Sequence, residues 1–172
     1  KYLLYRSADD NPLAFTLVDS LTHLADTIYN DKYLDTRNLG YTYRVDLYND
    51  TPGKRFLIGA STPAASMFLE LTPMNRRLVL WWSNQVPWRN TLFTVFRKDP
   101  GGVDFDSIGV STFPSYNDAG LENGLTYCYR VKSTGTYGLP GFADPLINFT
   151  KETCDVPADK TPPFRSEERR GG

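Results

Sequence analysis

The two cysteines are the residues whose chemistry the sequence raises first. Cys128 and Cys154 are the only cysteines in a chain of 172 residues, and each lies in a segment expected to form a strand. Three states are open to them: a disulfide, two free thiols, or part of a metal site. A metal would need further His or Cys ligands, and the single histidine, His23, has no cysteine near it in the sequence. We expect the disulfide, which would stabilise the fold by about 3 kcal/mol, and no bound metal.

Residue types that could support catalysis are present but do not form a recognisable set. His23 sits in a connecting segment, where a surface position is expected, and no Ser-His-Asp or Cys-His arrangement can be assembled around it from spacing alone. The acidic pairs in "DFDS" and "ADDN" fit solvated turns, with weak Ca²⁺ binding as the alternative. The sequence contains no phosphate-binding loop and no dinucleotide fingerprint. We therefore predict no catalytic residues, no cofactor and no enzyme activity.

Three tryptophans define a candidate binding surface. Trp81 and Trp82 are adjacent in a predicted strand, so one should point to the core and the other to solvent. Trp88 follows in the loop "VPWRN". An exposed tryptophan can stack on a sugar or anchor a protein partner, whereas the alternative is that it packs beneath the loop. If a glycan or protein ligand is bound, we expect it at this surface.

The elements that must position these residues are strands. In "LTYCYRVKS" the residues alternate between apolar and polar, which is the two-residue period of a strand with one buried face. The side predicted to be buried comprises Leu125, Tyr127, Tyr129 and Val131. Turn clusters such as "DPGG", "NDTPG", "LENG" and "GLPG" separate several such segments, and none keeps a helical period for three turns. Short strands between regular turns predict an all-β sandwich.

The chain also repeats itself. The pentapeptide "YTYRV" at residues 41–45 recurs as "YCYRV" at 127–131, and "YND" precedes each copy. "YLLYRSAD" near the start aligns with "FTVFRKD", which identifies a tandem repeat. The first copy begins at the strand equivalent to "FTVFRKD", so it lacks two opening strands. We predict a partial domain at 1–63, a complete domain at 64–157, and a linker and tail at 158–172.

Composition excludes some partners. The chain is 40% hydrophobic, 23% charged and 14% aromatic, with a formal net charge of −1. That charge gives no electrostatic reason to expect nucleic-acid binding. No apolar run approaches the roughly 20 residues needed to cross a bilayer, so no membrane insertion is predicted. Since there is no initiator Met and no signal peptide, we expect a mature or excised fragment of a longer protein.

The block that begins at Leu121, "LENGLTYCYRV", resembles the fibronectin type III consensus. In that family a Leu, a Gly and a Tyr form a corner between two strands, and here these are Leu121, Gly124 and Tyr127. The resemblance implies that Tyr127 is the tyrosine corner, whose hydroxyl hydrogen-bonds back to the chain. Tyr41 is the implied corner of the first copy, which has one extra residue. An immunoglobulin domain is excluded because its cysteine would follow the corner tyrosine by two residues, whereas Cys128 follows by one.

A narrower resemblance covers nearly all of the second unit. The segments "VPW", "YCY", "ETC" and "TPP" are similar to those of tandem repeats in gliding-motility-associated surface proteins of Bacteroidetes, which are exported by type IX secretion. The resemblance implies a secreted or cell-surface protein with an adhesive or spacing role. The alternative is a carbohydrate- or protein-binding accessory module of a secreted enzyme. The resemblance to the Bacteroidetes repeats also implies O-glycosylation at Ser20, Thr27 and Ser107, each in an Asp-Ser/Thr-apolar triplet.

The incomplete first unit carries an expectation of its own. Tyr2, Leu4, Tyr41, Tyr43 and Val45 should form one face of its sheet, with no second sheet to cover them. Exposed apolar surface and free strand edges favour association. We therefore expect contacts with neighbouring domains of the same protein or self-association through this unit.

Overall fold

The computed structural model describes residues 1–8, 14–23 and 25–159, and within these ranges it consists of strands and connections. None of these residues belongs to a helix that could cross a membrane. The strands in chain order are β1 (Tyr2–Ala8), β2 (Thr16–Leu21), β3 (Tyr41–Asn49), β4 (Phe56–Ala60), β5 (Ala64–Ala65), β6 (Leu69–Met74), β7 (Arg77–Trp82), β8 (Arg89–Lys98), β9 (Asp106–Ser111), β10 (Ser115–Ala119), β11 (Tyr127–Thr136), β12 (Leu146–Phe149) and β13 (Thr153–Asp155). The predicted all-β fold is confirmed.

The strands form three antiparallel sheets. Sheet 1 has the order β2-β1-β3-β4, with β5 also paired to β3. Sheet 3 has the order β9-β8-β11-β12, with β13 also paired to β11. Sheet 2 has the order β10-β7-β6. Sheets 1 and 3 therefore share one topology, strand for strand.

The pairing register repeats along with the strand order. In sheet 1, Arg6 of β1 lies opposite Tyr43 of β3. In sheet 3, Arg97 of β8 lies opposite Tyr129 of β11. These are the residues that the sequence repeat aligns with each other, so the repeat in sequence is also a repeat in structure.

The main core lies between sheets 2 and 3. Sheet 2 contributes Leu69, Leu78, Leu80 and Trp82, and sheet 3 contributes Phe93, Val95, Tyr129 and Val131. The rings of Trp82 and Phe93 meet edge to face with their centroids 5.2 Å apart. Burying each such side chain contributes about 1.5 to 3 kcal/mol. The second unit is thus sandwich-like, with inward residues from two sheets sharing one core.

Two segments of the second unit are shaped by contacts that the strand pattern does not show. The "YND" of this unit lies in β10, which pairs with β7. Asn and Asp disfavour strands; here the buried Asp118 is held by an ion pair with Arg97. The segment "PLINFTKETC" divides into two strands, β12 and β13. Thr150 lies between them and donates its N–H to the carbonyl of Val131 at 2.9 Å.

The predicted boundary between the units, at residues 63 and 64, falls directly before the last strand of sheet 1, so β5 belongs to the first unit. Ser66 donates its N–H to the Tyr41 carbonyl at 2.8 Å, which holds the segment to sheet 1. Ala65 donates its N–H to the Gln85 carbonyl at 2.7 Å, which holds it to the second unit. Met67 is already part of the core between sheets 2 and 3. The predicted tail lies outside the described residues from 160 onward, as does most of the acidic "ADDN" at 8–11.

Candidate functional site

The two cysteines form a disulfide within sheet 3. Cys128 of β11 and Cys154 of β13 lie directly opposite each other, with 4.0 Å between their Cα atoms. Their neighbours Tyr127 and Tyr129 point into the core, so the bridge is on the outer face of the sheet. The closed loop contains β12, and a loop of this length stabilises by about 3 kcal/mol. The bridge holds β13 in place rather than joining two sheets.

The same cysteines belong to a group of ligand-type residues that includes Glu152. The two sulfurs and the carboxylate lie within 4.8 Å of one another. The sulfurs are bonded to each other and therefore cannot bind a metal as thiolates. The Glu152 carboxylate accepts a hydrogen bond from Lys98 Nζ at 2.6 Å. This group is an ion pair beside a disulfide.

Both predicted corner tyrosines accept a hydrogen bond from a backbone amide. The N–H of Glu122 donates to Tyr127 Oη at 3.1 Å, and the N–H of Asp35 donates to Tyr41 Oη at 3.1 Å. Both tyrosines are buried. The donor residue directly follows a leucine in each unit, Leu121 in the second and Leu34 in the first. The first unit has one more residue between this leucine and its tyrosine. The extra residue therefore changes the turn and leaves the bond intact.

The two corners make their turns in different ways. In the second unit Gly124 has a φ of 86°, in the left-handed region where glycine is favoured. In the first unit Asp35 organises the turn, because its Oδ1 accepts the N–H of Arg37 and its Oδ2 accepts the side-chain amide of Asn38 at 2.9 Å. The bond from Asn38 lowers the pKa of Asp35. An Asx turn thus replaces a glycine turn.

A cluster of Arg, Asp and Tyr supports each corner. In the second unit Asp118 accepts hydrogen bonds from Arg97 Nη1 at 3.0 and 3.2 Å and from Tyr129 Oη at 2.7 Å. Burial and the bond to Asp118 raise the pKa of Tyr129. The Arg97 guanidinium also lies over the Tyr127 ring, 5.6 Å from its centroid. The cluster connects β8, β10 and β11, one strand of sheet 2 and two of sheet 3.

The first unit contains the same cluster at the equivalent positions. Asp31 accepts hydrogen bonds from Arg6 Nη1 at 2.8 and 3.0 Å and from Tyr43 Oη at 3.0 Å. Arg6 lies over the Tyr41 ring at the same 5.6 Å. The sequence pattern placed Tyr43 on one face of the sheet but did not predict this cluster, although the repeated "YND" and the aligned arginines were a usable signal. Residues 28–32 are therefore tied to sheet 1 at the place that β10 has beside sheet 3.

One face of sheet 1 has less cover than the equivalent face of sheet 3. Val131 in sheet 3 is fully buried, whereas its counterpart Val45 in sheet 1 is 37% exposed. Tyr2 is also partly exposed, whereas its counterpart Phe93 is buried. A groove of about 250 Å³ runs along this face. It is lined by Tyr2, Leu4, Leu21, Val45 and residues 26–29.

We expected much of this face to be uncovered, and at two of its residues it is not. Leu4 and Tyr41 are each only 7% exposed. Residues 26–29 line the groove together with Leu4. Tyr41 is covered by the Arg6 guanidinium and held by Ser66, whose Oγ accepts the Tyr41 N–H at 3.0 Å. The uncovered area is therefore narrower than predicted and centres on Val45.

The three tryptophans do not form one surface. Trp82 is 5% exposed and lies in the core, so it is removed from the candidate binding surface. Trp81 is 53% exposed on the outer face of sheet 2, beside Phe68 and Glu70. Opposite orientations were expected for adjacent strand residues, but the sequence did not say which of the two was buried.

Trp88 belongs to an aromatic cluster at the end of β11. Its ring contacts Tyr137 edge to face at 6.0 Å, and Tyr137 contacts Phe142 at 4.8 Å. Trp88 lies against Gly135, where a Cβ would come within 2.6 Å of its ring. A groove of about 350 Å³ next to Trp88 is lined also by Arg89 and Tyr137. Of the three tryptophans, Trp88 is thus the one that lies in a cluster with other aromatic rings on the surface.

The remaining predicted positions are on the surface. Ser20, Thr27 and Ser107, the three residues proposed for O-glycosylation, are all exposed. Thr27 also lines the groove of sheet 1. His23 is exposed in the connection between β2 and β3.

No family model matches the chain, and no curated protein matches it either. Its function must therefore be argued from its own geometry.

Proposed function

We propose that the chain is a non-catalytic structural or adhesive module of a secreted or cell-surface multidomain protein. It consists of two fibronectin type III-like units, of the kind found in gliding-motility-associated proteins exported by type IX secretion. The disulfide supports an oxidising compartment, because such bonds are rare in a reducing cytosol. Both units contain the same tyrosine hydrogen bond at the corner and the same Arg-Asp-Tyr cluster, which supports the proposal that they are two copies of one kind of domain.

The observation that carries the spacing role is the short connection between the units. Ala65 is bonded to Gln85 and Ser66 to Tyr41, so consecutive residues hold opposite sides of the junction. Met67 then enters the core of the second unit. A chain that passes from one sheet into the next core within three residues leaves little freedom for a hinge. Such a junction suits a module that keeps its neighbours at a fixed distance.

Backbone NMR relaxation on the whole chain tests this role. We expect a single rotational correlation time for sheets 1 and 3. After insertion of Gly-Ser-Gly between Ala65 and Ser66, sheets 1 and 3 should tumble with two different correlation times. The same insertion after Gly138, in an exposed loop, is the matched control and should leave one value. Two correlation times in the unaltered chain would show a flexible link and contradict the spacer.

The second candidate function is ligand binding by the Trp88 cluster. Tyr137 and Phe142 are both exposed and lie next to the groove beside Trp88. Aromatic rings of this kind bind sugars or anchor protein partners. Tryptophan fluorescence during titration with soluble oligosaccharides tests it. Binding that is lost in Phe142→Ala but kept in Phe113→Ala, at an exposed phenylalanine elsewhere, would favour an accessory binding module over a spacer.

A further inference from the structure

Sheets 1 and 3 present equivalent faces, but the face of sheet 1 is covered only in part. In the second unit the face of sheet 3 packs against the hairpin formed by β6 and β7. That hairpin points Leu69, Leu78, Leu80 and Trp82 inward, while residues between them point outward. The groove over sheet 1 lies on the equivalent face, at Val45 and Tyr2. The molecule itself thus shows which kind of element fits there.

A second observation points to the same element. In the second unit β10 pairs with β7, and Asp118 of β10 lies opposite Leu78. In the first unit Asp31 occupies the place of Asp118, fixed by Arg6 and Tyr43. Yet residues 28–32 are not in a strand, and Ile28 is 88% exposed. Residues 28–32 thus lie where β10 lies in the second unit, but no strand pairs with them as β7 pairs with β10. Their backbone can therefore accept a strand by β-augmentation.

We propose that the groove of sheet 1 and the edge at residues 28–32 form an acceptor site for a β-hairpin of a partner polypeptide. The second strand of the hairpin pairs antiparallel with residues 28–32. Its inward side chains alternate with polar ones, as in β6 and β7, and cover Val45 and Tyr2. The completed unit then has the same two-layer arrangement as sheets 2 and 3.

The chemistry of the site selects a hairpin over other occupants. The described strands of this chain are already paired within the three sheets, so none of them is free to serve. Stacking of sheet 1 on its copy in a second molecule would cover Val45 but would bring no strand to residues 28–32. A hairpin satisfies the apolar face and the backbone edge together.

The test uses a synthetic peptide with the sequence of residues 67–83, which contains β6 and β7, added to the whole disulfide-bonded chain. Hydrogen exchange followed by mass spectrometry is the readout. We expect the peptide to slow exchange at residues 28–32 and in β3 by about tenfold or more, and to leave β11 unchanged. A scrambled peptide should have no effect.

Val45→Lys should abolish the protection, because it places a charge in the groove. The matched control, Val110→Lys at an exposed valine of sheet 3, should keep it. Three results would overturn the proposal: no protection at residues 28–32 at saturating peptide, protection that appears in β11 instead, or protection of residues 28–32 by self-association without any peptide.

Discussion

Val45 and Val131 make the same hydrogen bonds in two different surroundings. Val45 donates its N–H to Ser61 Oγ, and Val131 donates its N–H to Thr150 Oγ1, each at 3.0 Å. Each valine carbonyl also accepts the N–H of that same partner. Val131 is completely buried, whereas Val45 is 37% exposed. The two residues therefore differ in the layer that covers them and not in their place in the sheet.

Truncating the two valines should have unequal effects. Val131→Ala leaves a cavity in the core and should lower the free energy of unfolding by about 2 to 3 kcal/mol. Val45→Ala removes methyl groups that are already partly in water and should cost less than about 1 kcal/mol. Urea unfolding followed by circular dichroism measures both. Tryptophan fluorescence reports the second unit alone, since all three tryptophans lie there. Equal losses would contradict the difference in cover.

The corner tyrosines should each contribute through their hydroxyl. Tyr127→Phe leaves the N–H of Glu122 without its acceptor and should destabilise the second unit by about 1 kcal/mol or more. Tyr41→Phe should do the same to the first unit through Asp35. Tyr33→Phe, at a fully exposed ring, is the control and should be neutral in the same urea measurements. A neutral Tyr127→Phe would show that the bond at the corner adds nothing to stability.

Alkaline pH should destabilise both units through Tyr43 and Tyr129. Burial and the hydrogen bonds to Asp31 and Asp118 raise the pKa of these phenols above the ordinary value of 10. As pH rises past that value the unfolded chain loses these protons first, so the free energy of unfolding is complete below it and falls above it. Phenolate absorbance should show two tyrosines that ionise only as the chain unfolds.

The Tyr129→Phe variant should remove one of those two late ionisations and leave the other. If the native chain ionised all eleven tyrosines in one step while it stayed folded, the clusters would not exclude water from these phenols as described.

A second disulfide should form in sheet 1 at the place of the natural one in sheet 3. Thr42 and Ala65 face each other across β3 and β5, as Cys128 and Cys154 do across β11 and β13. Thr42→Cys with Ala65→Cys should therefore form a bond that stabilises the first unit by about 3 kcal/mol. Peptide mapping without reduction identifies it.

The control for this pair shifts one cysteine by a single position. Thr42→Cys with Ala64→Cys places the two side chains on opposite faces of the sheet and should leave free thiols. A disulfide in the shifted pair, or none in the aligned pair, would mean that the register of β5 is not the register of β13.

Local patterns were enough to predict part of this structure. The alternation in β11 placed Tyr127 and Tyr129 inside and Cys128 outside, because strand periodicity depends only on the backbone. The same rule could not decide between Trp81 and Trp82, since both are equally apolar and only the position of sheet 3 buries Trp82. It failed at β10, where Asp118 is buried through its bond to a distant Arg97.

The candidate site was harder to predict for a related reason. The groove depends on what covers Val45, and that is a matter of tertiary packing that the strand pattern does not contain. Tyr41 is buried because the Arg6 guanidinium lies over its ring, which the strand pattern does not show. The role of Asp31 needed the repeat and the structure together, since the sequence aligned it with Asp118 but did not show what either bound.

The exchange rates of two backbone amides test the account most directly. The N–H groups of Val45 and Val131 have the same kind of hydroxyl acceptor at the same 3.0 Å, so their local hydrogen bonds are matched. If the two units differ because a second sheet covers only one of them, amide exchange of the native chain, measured by NMR, should be slower at Val131 than at Val45. We expect a difference of about a hundredfold or more. Equal exchange rates at the two amides would contradict it.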